Sequence, residues 1–321
     1  MRHATFLGEG RIEIDDVAWP VPAGGEVLLR VQACALCGSD LRPYKAGWPV
    51  TPGHEIVGKV DSPTHRLHGR RCLVYIPVWC GRCATCAGGD THLCENVTEL
   101  VGWQRAGGYA EGLAVPEQCL LPVPEDVPSH LAPLLLDTIG TAAHGVRLSQ
   151  KLVPAGRALI LGAGPIGLGA LLVLQQLGYG PVAVFDPNAY RRRVAGELGA
   201  AALEAMPESG RYPLVLECSG RNVARQVALE QVAARGVVIQ LGESDTWEVK
   251  ETKAIRRKDF YYVRSFYFPI ADYDLNLELL RADRARFERL VDARASLEGL
   301  QQLFAQFQRG ERLKPQLNLM T

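Results

Sequence analysis

The chain has 321 residues, enough for about two domains. Hydrophobic residues make up 47% and charged residues 22%, the mix of an ordinary globular protein and not of a disordered, collagenous or coiled-coil one. Its 35 basic and 35 acidic residues cancel, so it lacks the basic excess of a nucleic-acid binder.

In chain order, residues 1–14 carry Arg2, Glu9, Arg11 and Glu13 without an apolar centre, unlike a secretory leader, and a cytoplasmic protein is expected. Residues 1–138 hold short β-like runs at 27–31, 55–60 and 71–76, punctuated by Pro20, Pro22, Gly24, Gly25, Pro49, Pro52 and Pro63. Strands between turns, with no long helical pattern, predict a β-rich first domain. Residues 139–269 then alternate. Strands are predicted at 157–162, 181–186, 214–218, 236–242 and 263–268, with helices at 168–177, 190–198 and 223–233. Near-continuous apolar strands separated by helices predict a doubly wound parallel sheet, an α/β Rossmann domain. The uncharged run 158–177 is broken by four glycines and Pro165, so it reads as strand, turn and buried helix, and no membrane span is expected. Residues 270–321 carry helical patterns at 275–280 and 297–307 and an extended tail.

Two groups of residues suit metal. Cys80, Cys83, Cys86 and Cys94 follow C-x2-C-x2-C-x7-C, a spacing at which four thiolates can wrap one tetrahedral zinc. With no open position, such a zinc is structural. An iron–sulfur cluster also takes four cysteines, and His92 lies inside the loop as a bystander. The second group is Cys37-Gly38-Ser39-Asp40 with Gly53-His54-Glu55. Thiol, imidazole and carboxylate suit a catalytic zinc, but a Cys and a His 17 residues apart are weak evidence alone. Cys34, Cys72, Cys119 and Cys218 read as core thiols.

Gly162-Ala163-Gly164-Pro165-Ile166-Gly167 fits G-x-G-x-x-G between a predicted strand and helix, and Asp186 closes the next strand 19 positions after Gly167. Gly162 permits the turn, Gly164 lets the backbone approach a pyrophosphate, and Gly167 lets helix pack on strand. A carboxylate at 186 would accept from the adenosine ribose hydroxyls and repel a 2′-phosphate, which points to NAD over NADP. Arg191, Arg192 and Arg193 oppose that reading if one reaches a 2′-phosphate, and support nothing if they form a solvated helix face.

Taken together, the Cys37 and His54 motifs, the four cysteines, Gly108-Tyr109-Ala110-Glu111, the glycine loop, Glu217-Cys218-Ser219-Gly220 and Gly310-Glu311-Arg312-Leu313-Lys314-Pro315 resemble the zinc-dependent medium-chain dehydrogenase/reductases of the alcohol, sorbitol and threonine dehydrogenase group. The resemblance spans nearly the whole chain. It implies a GroES-like catalytic domain (1–138, with the structural-zinc lobe at 80–94), a Rossmann domain (139–269) and a return segment (270–321) that completes the first. It implies two zinc ions per chain, with Cys37 and His54 as catalytic ligands. Glu55 is implied as a ligand or exchange partner, and Asp137 as a fourth ligand, direct or through water. Asp40 would orient His54, Ser39 would relay a proton, and Lys314 would face the cofactor pyrophosphate. The implied activity is zinc-assisted hydride transfer from a small alcohol, a polyol, sugar or amino alcohol, to the nicotinamide, in a homodimer or homotetramer. A simple alcohol dehydrogenase is the nearer alternative; a zinc-free reductase on this fold and a non-catalytic NAD-binding protein are more distant ones. Arg42 stands where many relatives carry a relay histidine, and the stretches 37–54 and 60–71 are short.

Overall fold

The computed structural model describes residues 1–207, 211–244 and 246–320. They form two units. The first comprises Met1–Leu136, Pro269–Tyr273 and the chain from Glu288 onward; the second comprises Asp137–Phe268 and Asp274–Phe287.

The first unit is built on strand Glu26–Ala35. Val27, Leu29, Val31 and Ala33 alternate inward while Arg30 stays exposed, the period of two that buries one face of a sheet. Antiparallel partners are Glu55–Val60 and Gly112–Pro116. The sheet runs on through Arg71–Val74 to Leu120–Pro122. On the other side Gln316–Asn318, from the end of the chain, pairs antiparallel with residues 33–35. The ladder to Glu55–Val60 shifts register between Val31 and Ala33. Gly58 lies opposite, where a Cβ would come within 2.5 Å of the Arg30 carbonyl, so only glycine fits this kinked crossing. Phe6, Tyr44, Tyr109 and Phe304 fill the core beside the sheet, with ring centroids 5.1–5.7 Å apart.

The second unit holds a parallel six-stranded sheet in the spatial order 201–203, 182–185, 158–161, 212–217, 232–240, 261–264. Strand order reverses between Ala158–Leu161 and Tyr212–Glu217. In open sheets of this kind ligands bind beyond the carboxyl ends of the strands at such a reversal. The uncharged run resolves into strand Ala158–Leu161 and helix Pro165–Gln176. Among the described residues no helix is long and apolar enough to cross a membrane.

Element types follow the sequence expectation; several boundaries do not. The last strand of the parallel sheet is Tyr261–Arg264, not 263–268, and Val232–Gln240 begins directly after its helix. The tail also divides. Residues 274–287 pack with the second unit, where Arg286 Nη1 donates to Gln175 Oε1 at 2.6 Å and Phe287 is buried. An amphipathic helix states that it must be covered, not which sheet covers it.

The cysteine-rich lobe is tied to the first unit's returning segment. Thr91 Oγ1 accepts from the Ile270 N–H at 3.0 Å and lies 3.0 Å from the Tyr75 hydroxyl. Tyr273 Oη donates to the Pro122 carbonyl at 3.0 Å.

Candidate metal and cofactor sites

Strand pairing sets Ala35 opposite Glu55, so Cys37, just beyond one strand, meets His54 and Glu55 at the start of the next. The ligand atoms of these three buried side chains lie within 4.8 Å of one another. Thiol, imidazole and carboxylate drawn together out of water are a donor set for zinc, and they fit the ion that the sequence implies. Behind them, Asp40 is fully buried with Oδ1 3.2 Å from His54 Nδ1. Asp40 Oδ2 accepts from the Cys37 N–H at 2.9 Å and from the Tyr109 hydroxyl at 2.7 Å. A buried carboxylate beside the imidazole is the kind of outer partner that can set the ring's orientation.

In front, the His54 ring lies 5.5 Å from that of Trp103 at an interplanar angle of 31°. Trp48 meets Trp103 edge-on at 5.7 Å and donates its indole N–H to the Trp103 carbonyl at 2.7 Å. The Arg42 guanidinium sits 5.4 Å over the same indole. Ser39 is half-buried in the helical turn Gly38–Asp40. Asp137 is the first residue of the second unit, buried, and accepts from the Thr141 hydroxyl at 3.3 Å.

Lys314 is fully buried, with its ammonium paired to the Glu55 carboxylate. Its backbone is held by Asp292, which accepts from the Leu313 N–H at 2.8 Å and the Lys314 N–H at 3.2 Å. Burial pushes the Asp292 carboxyl above its usual range. Lys314 is expected from the resemblance to face a cofactor pyrophosphate; within the protein its ammonium lies against the Glu55 carboxylate.

The four cysteines wrap a separate point. Cys83 caps the short helix Ala84–Ala87, its sulfur accepting from the Cys86 N–H at 3.4 Å. Cys80 N–H points at Cys94 Sγ, 3.3 Å away, and Asn96 donates to Cys80 Sγ at 3.5 Å. All four sulfurs lie within 4.8 Å of one another. N–H groups of Arg82 and the Asn96 amide favour the Cys80 thiolate and lower its pKa to about 6. These donors fit a closed tetrahedral zinc.

In the second unit, Gly162 has φ +100° and its Cβ would sit 3.0 Å from Ser219. A Cβ on Gly167 would come within 1.8 Å of the Gly162 carbonyl. A Cβ on Gly164 would meet nothing nearer than Arg191 Nη1 at 3.9 Å. The loop thus closes tightly at both ends and is open at its middle, where the helix starts with Pro165 and half-buried Ile166. Free amides at that helix start favour an anion. Asp186, at the end of the second strand, accepts from the Ala163 N–H at 2.7 Å and the Asn188 N–H at 2.8 Å. The arginine run divides: Arg192 donates to the Asp186 and Pro187 carbonyls, Arg193 lies 3.6 Å from Glu197, and Arg191 reaches the glycine loop. Glu217 closes the neighbouring strand and accepts from the N–H groups of Ser219 and Gly220. Its buried carboxyl is shifted upward by desolvation.

Tyr109 and the pairing of Lys314 with Glu55 were not assigned from sequence. The first enters the sequence reading only within the motif Gly108-Tyr109-Ala110-Glu111, without a role; the second joins positions 259 residues apart.

Known proteins fit this architecture. Residues 23–125 match the alcohol dehydrogenase GroES-like domain. An L-threonine 3-dehydrogenase of Mesorhizobium japonicum is 32% identical over 272 residues, covering 77% of this chain and 78% of the relative. The alcohol dehydrogenase TADH of Thermus sp. ATN1 superposes over 100% of both chains with a TM-score of 0.89 and 28% identity. A Sinorhizobium meliloti protein described as a zinc-binding dehydrogenase, solved bound to NADP, superposes over 99% of this chain and 98% of its own, with a TM-score of 0.85 and 25% identity. The chain belongs to the medium-chain dehydrogenase/reductases, as an NAD(P)-linked dehydrogenase that oxidises a small-molecule alcohol.

Proposed function

We propose that the chain binds two zinc ions and oxidises a polyhydroxylated or amino alcohol to the carbonyl with NAD. The observation that carries this is the buried meeting of Cys37, His54 and Glu55, apart from the four-cysteine lobe. Cys37 and His54 hold the catalytic ion. By the family resemblance Asp137 is the fourth ligand, direct or through water, with Glu55 the alternative. Cys80, Cys83, Cys86 and Cys94 hold the structural ion. When bound, the catalytic zinc acidifies a hydroxyl and the nicotinamide accepts a hydride.

The protein's own groups do the rest. Asp40 fixes the face of His54, and Ser39, half-buried beside Cys37, carries the proton outward. Arg42 cannot end that relay, because a guanidinium does not deprotonate in proteins. The glycine loop seats the pyrophosphate, and the Asp186 carboxylate favours ribose hydroxyls over a 2′-phosphate. A substrate rich in hydroxyl or amino groups is inferred from the acidic Asp137 and from the threonine dehydrogenase relative. The domain plan is a GroES-like unit, a Rossmann unit and a returning tail. We place the protein in the cytoplasm as a homodimer or homotetramer joined through the edge strand Tyr261–Arg264, beside which Trp247 is 59% exposed and stacks on Tyr262 at 5.1 Å.

Elemental analysis should find two zinc ions per chain, falling to one in Cys37→Ser. That variant should lose turnover by about a thousandfold, the several kcal/mol a Lewis acid supplies, while nicotinamide titration by fluorescence stays unchanged. Full activity in Cys37→Ser sinks the assignment. A screen of polyols, sugars, amino alcohols and simple alcohols with both cofactors tests the substrate class; activity confined to apolar alcohols or to NADP overturns that part.

A further inference from the structure

Three stretches that are far apart in sequence converge behind His54. The turn after Cys37 supplies Asp40. The stretch 51–54 leads into His54 and Glu55. The stretch 107–109 lies along it, with Gly107 N–H donating to the Thr51 carbonyl at 2.7 Å, Gly108 N–H to the Gly53 carbonyl at 2.8 Å and Tyr109 N–H to the Pro52 carbonyl at 3.1 Å. Side chains are excluded from this seam. A Cβ on Gly107 would fall 2.1 Å from the Gly53 carbonyl, and one on Gly53 would meet the Tyr109 ring at 3.0 Å. The ring of Tyr109 is clamped in turn, stacked on Phe6 at 5.7 Å and edge-on to Phe304 at 5.4 Å. Its hydroxyl, fully buried, donates to Asp40 Oδ2 at 2.7 Å.

A carboxylate with one oxygen held by two donors cannot rotate without breaking both. Cys37 N–H and Tyr109 O–H occupy Oδ2, while Oδ1 lies 3.2 Å from His54 Nδ1. Cys37 N–H alone would fix Asp40 only to its own turn, three residues away. The Tyr109 hydroxyl ties that turn to the stretch carrying His54, so both ligand-bearing segments move as one body. Burial holds the phenol far above its usual pKa, which keeps it a donor.

Resting on the reading of Cys37 and His54 as metal ligands, we propose that Tyr109 is a positioning residue for that metal: through its hydroxyl it locks Asp40, and through Asp40 the orientation of His54. Ring packing alone would serve stability and would be met equally by phenylalanine.

The test is Tyr109→Phe in the full-length, zinc-loaded protein. Zinc release to a chelator should have two phases, one from each site. In Tyr109→Phe the phase assigned to Cys37/His54 should quicken by about tenfold to a hundredfold, the usual cost of losing an outer partner of a ligand. The four-cysteine phase should not move and serves as the fold control. With cobalt(II) in the Cys37/His54 site, the visible ligand-field bands should shift. In an Asp40→Asn background the extra effect of Tyr109→Phe should vanish, because the hydroxyl acts only through the carboxylate. Unchanged release and spectrum in Tyr109→Phe overturn the proposal, as does an effect of full size in the Asp40→Asn background. Should Tyr109→Phe fail to fold, Asp40→Asn alone is read: release no faster than wild type overturns the relay. A wild-type chain whose zinc content is unaltered by Cys37→Ser overturns the metal-site reading and the proposal together, and so is distinct from either result.

Discussion

Cys80, Cys83, Cys86 and Cys94 are gathered within fifteen residues, whereas Cys37 and His54 come together only when strand 26–35 pairs with strand 55–60. The lobe is held by its own N–H to sulfur bonds, and its chain can close around an ion with little help. The other group has no local geometry of its own. It borrows orientation from Asp40 and Tyr109, and it abuts a buried ion pair whose lysine lies 259 residues beyond its glutamate. A site closed by local chain suits stability. A site assembled from distant segments can keep one face for a substrate, and its demands are spread over the fold.

The sharpest way to break this contrast is to exchange the damage. Cys83→Ser should lose the lobe's zinc and about 2–3 kcal/mol, a fall in melting temperature of roughly 4–12 °C for a chain this size, with turnover per folded molecule largely kept. Cys37→Ser should do the reverse, losing turnover while the melting temperature holds near wild type. Calorimetry and steady-state kinetics on both variants decide it; if Cys37→Ser melts earlier than Cys83→Ser, the division of labour is wrong. A comparable loss is expected from Lys314→Met, which leaves the Glu55 carboxylate buried without its ammonium and should cost about 3–5 kcal/mol. Denaturant midpoints measure it, and pairing it with Glu55→Gln should restore much of the loss. Smaller and more selective effects are expected in the glycine loop. Gly167→Ala drives a methyl into the Gly162 carbonyl and should destabilise by about 1–3 kcal/mol. Gly164→Ala meets open space in the protein and should leave stability alone while weakening cofactor binding about tenfold in a fluorescence titration. Equal melting temperatures with unequal affinities is the expected signature of Gly164→Ala alone.

Legibility from sequence followed the same contrast. The four cysteines declared themselves by spacing, and the glycine loop by its place between an apolar strand and helix. Cys37 and His54 became convincing only beside the rest of the family's motifs, because a separation of 17 positions carries no geometric information. Lys314 shows the limit best. A lysine near the chain's end reads as solvent-facing or ligand-facing, and nothing local states that it returns along Gln316–Asn318 to the interior of the first unit. Helix 273–282 was legible as a helix from its apolar period, but its burial against the second unit depends on Arg147 and Asn276 meeting across 129 residues. Pattern fixes what each segment must hide; only the assembled fold fixes from whom.

The bond between Thr91 and Ile270 gives the cysteine lobe a reach beyond its own loop. Thr91 stands between Cys86 and Cys94, and Ile270 belongs to the few residues by which the polypeptide re-enters the first unit. A lobe that opens releases Thr91 from Ile270, so an ordered cysteine loop also steadies residues 269–273 of the first unit. Oxidative damage at the lobe is therefore expected to loosen residues 269–273 before it disturbs the group at Cys37 and His54.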